Sequence, residues 1–217
     1  MEKDEKAIGG KGDAGHDWVE IFAAILLAIA TVATAWCAYQ SARWSGVMTI
    51  NFSAANAARV EATNQANLAF TEVSYDAAVL LDYAQAYVQG NTAEVEVLLQ
   101  RFTRPELKAA MEAWLALDPA NNPDAPRTPI NMPQYKLDSL EESEALMKKA
   151  EKLTNTAKED NQRSDNYVLL AVIFASVLFF AGISTKFAVR WLKTSMVIAG
   201  AVVFITTVVI LAFQPIH

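Results

Sequence analysis

The sequence predicts an all-α integral membrane protein: three transmembrane helices, with a long extramembrane helical stalk between the first and the second. Three observations carry that reading. Charged side chains are missing from residues 21–42, from the interval between Asp165 and Lys186, and from everything after Lys193. Each interval holds the about 20 apolar residues that a helix needs to cross a bilayer core. Between the first two, no Gly or Pro interrupts residues 47–89, and Phe70, Val73, Ala77, Leu80, Leu81, Ala84 and Val88 recur at the steps of an amphipathic helix.

In chain order, residues 1–15 read as a flexible polar tail, with Gly9, Gly10, Gly12 and Gly15. Residues 16–42 form the first transmembrane helix, with Trp18 and Trp44 beside its ends, where indole rings sit at bilayer interfaces. Ala33-Thr34-Ala35 would serve as a signal-peptide cleavage site. The acidic flank before the apolar run, and the length of that run, favour a retained span. This span is rich in small residues: Ala24 and Ala28 lie on one face, and Ala30, Thr34 and Ala38 on another, with Thr31 between them. Small residues four apart let helix backbones approach closely in lipid. They serve either internal packing against the other two spans, or a self-association seam or pore wall.

Residues 43–165 form the stalk. Its ascending helix should run from the first span to Gly90, a natural stop, with a possible kink near Gly46. Asn91-Thr92-Ala93-Glu94 and Thr103-Arg104-Pro105-Glu106 read as capping boxes that open two short helices, 93–102 and 105–117. Residues 118–136 hold Pro119, Pro123, Pro126, Pro129 and Pro133, which excludes regular helix. Trp114, just before this loop, and Tyr135, near its end, are the candidates for anchoring it, on the stalk or on a partner. A last polar helix starts at Asp138-Ser139-Leu140-Glu141 and runs into the second span, 166–185; the third span covers 194–215.

The break at 184–194 carries Lys186, Arg190 and Lys193 and no acid. Short basic loops stay in the cytoplasm, whereas long segments translocate largely regardless of charge. The expected topology therefore has a cytoplasmic N-terminus and an extracytoplasmic segment 43–165.

Chemistry is sparse. His16 and His217 lie at the two ends of the chain, and the one cysteine, Cys37, forms neither an internal disulfide nor a thiolate cluster. No metal-ligand spacing and no phosphate loop occurs, and Glu141, Glu142 and Glu144 read as a solvated face. Glu20 is the acid nearest a span and reads as exposed to headgroups. The formal net charge of −6 gives no basic excess for nucleic acid. No enzyme activity, cofactor or metal is assigned. The expected partners are the lipid bilayer, further copies of the chain and an unidentified protein on the stalk.

A further set of residues carries a resemblance: Arg104-Pro105-Glu106, Ala113-Trp114-Leu115-Ala116, Pro119, Asn122-Pro123, Ala125-Pro126, Met132-Pro133-Gln134-Tyr135, Asn166-Tyr167-Val168 and 178–183. Over roughly residues 40–190 the chain resembles a group of uncharacterised bacterial three-span integral membrane proteins. The resemblance implies a bacterial inner-membrane location and this topology, and brings no activity with it. The expectation is a homo-oligomeric structural or partner-binding protein displaying a helical extracytoplasmic domain. The alternative is an oligomeric passive channel with the first span lining the pore.

Overall fold

The computed structural model describes residues 14–217, with side chains from Trp18 onwards. Residues 1–13 of the expected tail lie outside the described residues; Ala14 and Gly15 already belong to the first helix. The described chain is helical, without strands, in the order α1 (Ala14–Val88), α2 (Thr92–Val97), α3 (Pro105–Leu115), α4 (Asp138–Ser184) and α5 (Arg190–Ala212). A π-helical turn, Leu98–Phe102, follows α2, and a 3-10 turn, Pro129–Asn131, lies in the proline loop. Helices α1, α4 and α5 are long and apolar enough to cross a membrane.

Local chemistry sets the helix ends. Helix α1 passes through Gly46 without a break and stops at Val88, because Gly90 takes the left-handed φ of 70° that a helix-ending glycine supplies. Asn91 caps α2 as its spacing predicts: its side-chain oxygen accepts from Glu94 N–H. The second capping box is not formed. Arg104 sits at the cap position of α3, and the Thr103 hydroxyl instead donates to Leu98 O, closing the π-helical turn. Pro105 opens α3, its fixed φ already helical and its missing N–H not needed there.

The chain divides into two compact units. The first comprises the chain up to Asn51 together with Thr156–His217. Its core has two layers. Leu26, Ala30, Val177 and Ala181 pack with Ala201 and Phe204; Cys37, Trp44, Tyr167, Leu170 and Phe174 pack with Ala33 and Leu211. Helix α5 approaches closely at Gly200, where a Cβ would stand 3.4 Å from Phe180 Cβ and 3.6 Å from Leu26 Cδ2. After α5, Pro215 cannot continue the helix, and its carbonyl accepts from Trp44 Nε1 and Tyr167 Oη, both at 3.1 Å.

One expectation in this unit needs correction. The basic break is shorter than 184–194, because α4 ends at Ser184 and α5 begins at Arg190. Lys193 is therefore helical and buried, and its ammonium pairs with Glu20. Glu20 is exposed, as expected, and the structure adds Lys193 as its partner. A buried ammonium in an apolar setting requires a counter-charge, and α1 supplies one.

The second unit is Phe52–Asn155. Within it α1 and α4 run close together along small residues: Ala55, Ala58, Ala62 and Ala150 are buried, and the Ser143 hydroxyl donates 2.8 Å to Ala62 O. Arg59 Nη2 donates 2.7 Å to Thr154 Oγ1. A cluster of Val79, Leu107 and Met111, with Leu80, Tyr83, Leu99, Ile130 and Tyr135, binds α3 and the proline loop to α1. Here too the sequence reading needs correction. The stripe that α1 buries is Ala69, Asp76, Val79 and Ala86, while Phe70, Ala77, Leu81, Ala84 and Val88 face outward. A periodicity based on hydrophobicity alone skips Asp76, which is inside because α3 brings it a cation.

Candidate functional site

Asp76 is the residue around which the second unit is arranged. It is fully buried on α1, and its Oδ2 accepts from Arg104 Nη1 at 3.2 Å and from Tyr135 Oη at 2.8 Å. Arg104, just before α3, also bridges Glu72 at 2.8 Å. Glu72 in turn accepts from the Ser139 hydroxyl at the start of α4. Glu106 Oε2 stands 3.3 Å from Arg104 Nη2 as an ion pair, but lies outside hydrogen-bonding geometry. One guanidinium therefore joins α1, α3, the proline loop and α4.

The electrostatics follow from burial. Loss of water pushes the Asp76 carboxyl above its usual range; the Tyr135 hydroxyl and the Arg104 charge pull it back, and Glu106 and Glu72 add to the rise. Burial raises the Tyr135 hydroxyl too, reinforced by its bond to Asp76. Asp76 Oδ1 has no partner. The group acts as a structural clamp, and Tyr135 is committed to it. Among the described residues no three His, Cys, Asp or Glu side chains are placed to hold a metal ion.

Beside the clamp lies a pocket of about 470 Å³. Its walls come from Tyr83 and Tyr87 on α1, Trp114 at the end of α3, and Pro119 and Pro129 in the loop, with Arg127 at its edge. Tyr83 and Tyr87 are one helical turn apart and stack with their centroids at 6.2 Å. Burial raises the Tyr83 hydroxyl, and the neighbouring Tyr87 raises it further. Trp114 is fixed by a 2.6 Å bond from Nε1 to Pro126 O, which holds its indole against the loop. Asp118, which also lines the pocket, turns the chain out of α3 with a φ of 48°, a left-handed conformation that a short polar side chain tolerates better than most. The volume lies within the range of small-molecule and side-chain sites, and the lining is mostly apolar with few polar groups, the usual make-up of such sites.

The candidate residues of the first span separate. Ala30 is buried inside the chain, and Thr34 is half-buried; Ala24, Ala28, Thr31 and Ala38 are exposed. Both threonine hydroxyls are used within α1, Thr31 on Leu27 O and Thr34 on Ala30 O, each at 2.8 Å. The sequence reading passed over Asp76, Arg104, Tyr83, Tyr87, Arg127 and the Glu20–Lys193 pair. Tyr83 and Tyr87 were visible as an i, i+4 aromatic pair; the charged partners come together only through the tertiary fold. No family model, curated protein or solved structure matches this chain.

Proposed function

We propose that the chain is a membrane-anchored, homo-oligomeric binding protein of the bacterial inner membrane. Helices α1, α4 and α5 anchor it, and the unit Phe52–Asn155 is displayed outside the cytoplasm to receive a protein partner in the Tyr83/Tyr87/Trp114 pocket. The observation that carries this reading is the pocket itself. Aromatic side chains held rigid by their neighbours cost little entropy on binding and are enriched in the binding centres of protein interfaces. Arg127 adds a cation with no partner among the described residues. The clamp at Asp76 carries no catalytic arrangement: its cation and its tyrosine are engaged in holding four segments together. That supports a binding role rather than an enzyme.

The test is site-specific photo-crosslinking in living cells. A photoreactive amino acid at Ala120, on the pocket edge, should give a discrete adduct that differs in mass from multiples of the chain. The adduct should disappear when Tyr87→Ala is added, and should not form from Lys149 on the outer face of α4. Equal adducts from Ala120 and Lys149, or none from Ala120, would overturn the reading.

A further inference from the structure

We propose that the outer face of α1 within Phe52–Asn155 is a parallel, in-register interface with α1 of a second copy of this chain. The face consists of Val60, Thr63, Asn67, Phe70, Ser74, Ala77 and Leu81, all exposed; Ala84 and Val88, further along α1, line the pocket and belong to that site. The spacing of the face residues alternates three and four without interruption, the a/d pattern of a coiled coil. On a straight α-helix such a ladder drifts ~20° per heptad, so over this length it would wander well off one line. The stripe that α1 buries inside the unit, Ala55, Ala58, Ala62, Ala69, Asp76, Val79 and Ala86, steps in the same seven-residue repeat, so the outer ladder keeps a constant position relative to it, where a second helix can follow.

The contrast between the two helices of the unit is independent of spacing. Along residues 138–155, α4 exposes Asp138, Glu141, Glu142, Glu144, Lys148, Lys149, Glu151 and Lys152. Over the longer stretch 52–88, α1 exposes only Glu61 and Asp82 as charged residues. Water-facing helix surfaces are ordinarily about a quarter or more charged. The α4 exterior fits that rule and the α1 exterior does not. Val60, Phe70 and Leu81 are 62, 74 and 70% exposed. Covering those three and the small residues between them would remove several hundred Å² from each copy, a substantial part of the roughly 800 Å² per partner of a standard interface.

The polar members of the face are prepared for burial. The Thr63 hydroxyl donates to Arg59 O at 2.9 Å and the Ser74 hydroxyl to Phe70 O at 2.7 Å, so each turns its polarity onto its own helix. Asn67 differs: among the described residues its side-chain amide meets no partner. It occupies an a position, where a single Asn fixes register and helix number by bonding to its counterpart across the seam. A second copy supplies that counterpart. The parallel sense rests on the membrane-anchored reading above, since copies inserted in one direction present α1 in one direction.

The experiment uses the full chain in native membranes, in a Cys37→Ala background, with one cysteine introduced at a time. Under mild oxidation Val60→Cys, Ser74→Cys and Leu81→Cys should form disulfide-linked dimers on the order of ten times faster than Lys148→Cys, because only seam positions hold identical residues within disulfide reach. Mass measurement in nanodiscs accompanies it. An oligomer whose seam cysteines do not crosslink overturns this surface and leaves the oligomeric reading standing. A chain monomeric at every concentration overturns both. Leu81→Glu, at an exposed site, should reduce the oligomer while leaving the helix content unchanged; an unchanged mass would also count against the seam.

Discussion

At the scale of the residue, Asp76 shows what a buried acid demands. Its carboxyl is held above the usual range mainly by lost hydration, despite Arg104 and Tyr135. A raised carboxyl pKa means that the folded chain binds a proton more readily than the unfolded one. Its contribution to stability is therefore greatest below the ordinary carboxylate range and falls as pH rises through the raised value. Asp76→Asn removes this dependence, so the variant should gain on the wild type in thermal unfolding as pH is taken from acid to neutral. A gap independent of pH would contradict this sign. Tyr135→Phe strips Asp76 of one of its two donors and should destabilise the unit by about 1–3 kcal/mol, the cost of leaving a buried acceptor short of a partner. Ala30 and Ala38 make a second residue-scale contrast. Both fit a small-residue reading of the first span, but Ala30 is enclosed by Leu26, Val177 and Ala181 while Ala38 is exposed. Ala30→Leu should lower the unfolding temperature, at about 1–3 kcal/mol for an overpacked site, and Ala38→Leu should leave it nearly unchanged.

At the scale of the element, helix ends were readable wherever a local residue decides them. Gly90 and Pro105 act through their own backbone preferences and Asn91 through its side-chain oxygen, and their helices end or begin where the sequence indicated. The exceptions depend on structure outside the motif itself. Thr103 had a sound capping pattern, but Leu98 O offered it an acceptor that exists only once the π-helical turn has formed. The buried stripe of α1 was misplaced because Asp76 counts as polar in any periodicity, while its burial depends on Arg104 and Tyr135, 28 and 59 residues further on. The pocket was half legible: Trp114 stood out beside the proline loop, but Tyr83 and Tyr87 gain meaning only when α3 lies beside α1. Gly46 tests the continuity of α1 directly. It is helical, exposed, and a Cβ there would meet nothing within 4 Å. Gly46→Ala should therefore raise thermal stability by roughly 0.5–1 kcal/mol. A loss would mean that the helix must flex at this position.

At the scale of the whole molecule, orientation in the bilayer depends on which charges still count. The sequence offered Lys186, Arg190 and Lys193 as the basic signature of a cytoplasmic break. The fold removes one of them, because Lys193 is buried in α5 and neutralised by Glu20. Lys186 and Arg190 remain exposed at the break between α4 and α5, with no acid among residues 185–190. Two exposed cations in so short a connection still favour its retention inside. In the proposed orientation the long segment that holds the pocket lies on the opposite side. The residue chosen to test this must be reachable. Ser184 is buried, with its hydroxyl on Ala181 O, and is a poor reporter, whereas Thr185 and Asn121 are exposed. With single cysteines at those two positions in the Cys37→Ala background, an impermeant maleimide added to intact cells should label position 121 and spare position 185 until the membrane is opened. Labelling of 185 but not 121 would invert the topology and move the pocket to the cytoplasm. Glu20→Gln sharpens the test. Glu20→Gln removes the negative charge beside Lys193 and leaves the positive charge at this end of α5 undiminished, which strengthens retention of that end. The labelling pattern should therefore persist in this variant even as the loss of a buried pair destabilises the fold.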